Sequence, residues 1–91
     1  MALAEMEQRA VQELVEDLKR RLEQETKNLD SARFDLTKLQ IRVKLFGEQD
    51  LDDREREAFT QAYPKDIAKH EAEIVRLQTQ LNKLLAYGKA G

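Results

Sequence analysis

VQELVEDLKRRLEQETKNLDSARFDLTKLQIRVKLF, residues 11 to 46, decides the fold of this chain. Its apolar residues fall at Val11, Val15, Leu18, Leu22, Leu29, Ala32, Leu36, Leu39, Val43 and Phe46, in steps of four and three. Glu25 is the one polar residue on that row, and no Gly or Pro interrupts it. A 3.5-residue period held through five repeats predicts a long helix with a narrow apolar edge, which packs against another helix as a coiled coil. At about 1.5 Å per residue this stretch forms a rod roughly 50 Å long.

The preceding residues, MALAEMEQRA, extend the helix backwards to about residue 3, with Leu3, Met6, Ala10 and Leu14 on a second stripe. Three pairs, Glu16/Arg20, Asp17/Arg21 and Glu23/Lys27, set an acid four residues before a base, the pattern of a solvated helix face. From Asn28 onward Phe34, Ile41 and Leu45 add an apolar row off the main seam. A helix with two apolar sides has two neighbours. Arg33, Lys38, Arg42 and Lys44 gather in the same region, and acids nearly vanish between Asp35 and Glu48.

Gly47 is expected to end the helix, most simply as the left-handed residue just past its cap. A turn over 47–50 follows, with Asp50 as the expected cap of a second helix beginning near Leu51. Pro64 lacks an N–H and clashes with the carbonyl four residues back, so the second arm is expected to kink, or to break into helices 51–63 and 64–87. Beyond it Ile67, His70, Ile74, Leu77, Leu81 and Leu84 restore the seam, and Gly88 is expected to close it. Two seams of similar length joined by a short turn form an antiparallel helical hairpin, an all-α single domain over residues 1–91. Each helix of a hairpin buries only one edge. The leftover apolar residues Leu14, Phe34, Ile41, Leu45, Val75 and Leu85 are therefore candidate partner contacts, most simply in a dimer that completes a bundle.

Composition narrows the function. With 37% charged residues, the chain suits an exposed helical rod. Sixteen bases against eighteen acids, a net charge of −2, argue against a nucleic-acid binder. No Cys is present, so disulfides, thiolate metal sites and cysteine nucleophiles are excluded. No apolar run approaches the ~18 residues of a membrane span, and a cytoplasmic or membrane-peripheral protein is expected. His70, the only histidine, lies on the seam with no nucleophile or orienting acid on its own helix face. The acids from Asp50 to Glu57 lack calcium-loop spacing and the central glycine. No catalytic residue, metal or cofactor is expected.

Residues Glu25 to Lys44 resemble the second long helix of BAR domains, especially of the endophilin-B type. Lys27, Leu29, Arg33, Asp35, Leu36, Lys38, Arg42, Val43 and Lys44 match that family's pattern before the tip of its arm, whereas Phe34 replaces Leu and Thr37 replaces Asp. Glu55 to Leu77 is similar to the start of the family's third helix. A full BAR protomer has three long helices against two here, and Pro64 is not expected in the third. The resemblance implies non-enzymatic binding of curved anionic membrane through basic residues near the tip, namely Lys38, Arg42, Lys44, Arg54 and Arg56. The competing expectation is a coiled-coil module that binds another helical protein, or a second copy of itself, with no lipid role.

Overall fold

The structure, a computed structural model, describes residues 4–90. Helix α1 runs over Glu5–Phe46, α2 over Asp53–Glu57 and α3 over Tyr63–Ala90, and there is no strand among the described residues. α1 and α3 lie antiparallel in a rod of 65 × 18 × 14 Å. Neither is long and apolar enough to cross a membrane.

The seam is the core. Val15, Leu18, Leu29, Ala32 and Leu39 of α1 are buried, and Leu77 of α3 is the most enclosed side chain at 1% exposure. Polar cross-links step down one arm as they step up the other. Tyr87 Oη donates to Glu7 at 2.9 Å, His70 meets Glu25 at 2.7 Å and Arg42 reaches Glu55. These three links set the antiparallel register.

Glu25 and His70, the polar residues on the two seams, face each other. Each side chain is 23% exposed. Neither has a polar partner on its own seam, so the antiparallel register joins them. Such a pair favours one alignment over a slipped one, because a slip would leave both groups against hydrocarbon.

Several expected boundaries differ. α1 begins at Glu5, and the Leu3 contribution lies outside the described residues. Met6 is 81% exposed and Leu14 50%, so these two residues of the leading stripe leave much of their surface uncovered. Phe46, expected to close the seam at the tip, is 61% exposed, and Leu51 at 3% closes it instead. The chain leaves the helix at Gly47 and makes a 3-10 turn over Glu48–Asp50, which returns Leu51 to the end of the core. Gly47 adopts φ +89°, ψ 164°, a region open in practice only to glycine, and not the left-handed helical conformation.

The cap of the second arm is Asp52, not Asp50. Its carboxylate accepts the Glu55 N–H at 2.7 Å, while the Glu55 carboxylate accepts the Asp52 N–H at 3.2 Å. This reciprocal box satisfies two donors that a helix start leaves free.

Pro64 does not break the arm. Ala58–Ala62 form one π-helical turn immediately before it, in which the Tyr63 N–H donates to the Ala58 carbonyl five residues back. The extra residue shifts the carbonyls that a proline ring would otherwise strike, and α3 continues. The Thr60 hydroxyl donates to the Arg56 carbonyl at 2.9 Å within that turn. At the far end Gly88 does not stop α3, which runs to Ala90. Gly88 faces α1, where a Cβ would meet Val11 Cγ1 at 3.5 Å.

Candidate functional site

The candidate residues gather mainly at the hairpin tip and on the outer side of α1. The tip collects the basic candidates unequally. Arg42 is a structural clasp. Its Nε donates to Asp50 Oδ2 at 3.0 Å, its Nη2 to the Asp50 carbonyl at 3.0 Å, and its guanidinium also grips Glu55. Hydrogen bonds to Glu55 and Asp50 hold its pKa above the ordinary arginine value, and the same contact with Arg42, followed by the Asp52 N–H, holds the Glu55 carboxyl below the usual glutamate range. The clasp thus ties α1 to the 3-10 turn and to the α2 cap at once.

Arg56 is also committed, donating to the Leu51 carbonyl at 3.1 Å and to Asp53 at 3.3 Å. Lys38 lies 3.2 Å from Asp35 and 5.0 Å from the centre of its own Phe34 ring. Only Lys44 and Arg54 of the five carry no ion pair among the described residues. Lys38, Arg42 and Arg54 line one open cleft of about 370 Å³ with Asp35, Glu55 and Tyr63, while Lys44 and Arg56 lie outside it. The tip is a mixed-charge lattice whose cations are largely neutralised by their own chain.

The apolar candidates are all exposed: Leu14 50%, Phe34 64%, Ile41 51%, Leu45 66%, Val75 62% and Leu85 41%. They do not form one face. Leu14 borders a groove with Leu18, Arg21 and Leu84 at the open end of the hairpin. Leu85 borders a different groove there with Val11 and Val15. Val75 stands on α3. Phe34, Ile41 and Leu45, in contrast, share a row. Phe34 is two residues from Ala32 and from Leu36, and Ile41 two from Leu39 and from Val43. Two residues are about 200° of rotation, so both point away from the seam.

A third surface was missed in reading the sequence. On α3, Lys69, Arg76 and Lys83 each stand two residues beyond a seam position, and Lys65 stands two before one, which turns them outward from the seam, although Lys83 also borders the groove that Leu14, Leu18 and Arg21 of α1 line with Leu84. All four are exposed. Arg76 is paired with Glu73, whose carboxyl it holds below the usual range. The seven-residue spacing of Lys69, Arg76 and Lys83 was the available signal. It was overlooked because these residues are spread along a helix rather than clustered in the sequence.

Among the described residues no group of three or more potential metal ligands comes together. No family model, no curated protein and no solved structure matches this chain.

Proposed function

We propose that the chain is a non-enzymatic docking module, a rigid antiparallel hairpin that presents the outer row of α1 to a helical protein partner. The observation that carries this reading is the row itself. Phe34, Ile41 and Leu45 are large, exposed and spaced as the anchors of helix-on-helix recognition, while the neighbouring Lys38 and Arg42 are occupied within the chain. A cytoplasmic setting accords with this reading. A photoreactive amino acid at Thr37, beside the row, tests it in cells. Adducts are expected at Thr37 and not with the same probe at Thr79 on α3, and Phe34→Glu with Ile41→Glu should abolish them. Equal labelling at both sites would refute a specific surface.

A second reading rests on α3. Lys65, Lys69 and Lys83 are exposed and have no ion pair among the described residues, which favours peripheral contact with anionic lipid on this side and not at the tip. Basic residues near such a surface contribute about 1 kcal/mol each. Co-sedimentation with phosphatidylserine vesicles at low salt, lost on charge reversal of these three lysines, would support it. Binding that needs Lys38 and Lys44 instead would return the contact to the BAR-like tip.

A further inference from the structure

The segment of α1 from Asp30 to Leu45 carries its charges in a fixed order. The acids Asp30 and Asp35 lie at its N-terminal end, with Arg33 between them drawn to Glu71 of α3 at 3.8 Å, and the bases Lys38, Arg42 and Lys44 follow. Asp30 and Lys44 are fourteen residues apart, so they stand on the same side of the helix, flanking the apolar row. Both are exposed and neither has an ion pair among the described residues. Their midpoint is Thr37, which also lies next to the midpoint of Phe34 and Ile41.

The surface area points the same way. The chain exposes 6998 Å². A compact monomer of 10.6 kDa exposes about 5,500 Å². The excess, about 1,500 Å², is larger than the ~800 Å² that each partner buries in an interface of standard size.

We infer that a second copy of this chain covers the outer face of α1, the two α1 helices crossing antiparallel about a two-fold axis beside Thr37 and Lys38. This inference rests on the docking reading above and names its partner. Antiparallel pairing reverses the row, so Phe34 packs beside Ile41 of the partner subunit, and the two-fold repeats the contact. The same reversal brings Asp30 onto Lys44 of the partner subunit, again twice. Parallel pairing would instead set acids against acids and bases against bases. An isologous interface needs a patch complementary to itself under rotation, and this order of charges supplies one. Lys38 lies near the axis, where like charges approach. Each ammonium is offset by its own Asp35 at 3.2 Å and by its own Phe34 ring. Asp30 to Leu45 spans only about 22 Å, so the dimer is weak, in the micromolar range.

Sedimentation equilibrium from low to high micromolar concentration tests this, with circular dichroism confirming that each variant remains helical. The wild-type chain should reach the mass of two copies, and Phe34→Glu should remain a monomer. Asp30→Lys and Lys44→Asp should each weaken the dimer about ten-fold, since two exposed ion pairs become two repulsions. The combined Asp30→Lys/Lys44→Asp chain should return to near wild-type affinity. Lys38→Leu should tighten association. A monomer at every concentration, a dimer indifferent to Phe34→Glu, or a combined variant no tighter than the single ones would overturn the inference. A monomeric chain whose Thr37 probe still captures another polypeptide would overturn the second copy alone. A monomeric chain whose probe captures nothing would overturn the docking reading with it.

Discussion

Replacing Leu77 with Ala removes the most enclosed side chain of the protein, at 1% exposure. Three carbons leave the core. At about 0.8 kcal/mol per buried methylene, the transfer loss alone is about 2.4 kcal/mol. A cavity contribution adds to this, but a core only two helices thick can close partly around the gap, which favours the lower end of the 2–5 kcal/mol seen for such changes. We therefore expect a loss of about 3 kcal/mol, and a fall in melting temperature on the order of 12–24 °C for a domain of this size. The assay is urea and thermal unfolding followed by far-UV circular dichroism at one fixed protein concentration, so that self-association does not confound the comparison. Val75→Ala is the internal control. It lies two residues away on the same helix, is 62% exposed, and should shift stability by no more than about 0.5 kcal/mol. If Leu77→Ala melts within about 3 °C of the parent, or costs no more than Val75→Ala, the seam is not the core in solution and the hairpin register is wrong.

Further outcomes follow from particular contacts. Changing Glu25 and His70 together to Leu should stabilise the hairpin by about 1 kcal/mol or more, and either change alone should do worse than half of that, as read by a double-mutant cycle in urea. Gly47→Ala should cost about 1–3 kcal/mol because φ is +89°, whereas a D-alanine at the same position in a synthetic chain should not. Glu55 has its folded pKa depressed, so its clasp stabilises the fold above the ordinary carboxylate range, and that contribution is lost as pH falls through the lowered value. Arg42→Gln should accordingly lower the midpoint of urea unfolding at neutral pH, with the gap from the parent narrowing on acidification. Tyr87, held protonated by Glu7, should ionise above the usual tyrosine range by ultraviolet titration and return toward it in Glu7→Gln.

The clasp shows what a linear reading of the tip leaves out. Arg42, Arg56 and Lys38 look like a basic cluster in one dimension. A linear reading counts Asp50, Asp52, Asp53 and Glu55 as a separate acidic run, and the turn folds that run back onto the arginines. Electrostatic pairing depends on distance, and distances across a turn are set by backbone geometry that charge spacing does not encode. The cap shifted from Asp50 to Asp52 for a related reason. A 3-10 turn consumed Glu48–Asp50, and Leu51 had to be extended to reach the core before a helix could start.

The all-α hairpin was legible in the sequence because a 3.5-residue apolar period over so many turns has one favourable solution, two long helices burying narrow edges against each other. The exposure of Phe34, Ile41 and Leu45 was legible too, since rotation about a helix axis follows from residue count alone. Only the tertiary structure decided what depends on two segments meeting. It joined Glu25 to His70, used a π turn to carry the arm past Pro64, put Leu51 in place of Phe46 at the tip, and turned Arg42 inward onto the loop. Helical periodicity is a local property, repeated every few residues. The register between two arms rests on pairs far apart in sequence, Glu25 with His70 and Glu7 with Tyr87, which no local period specifies.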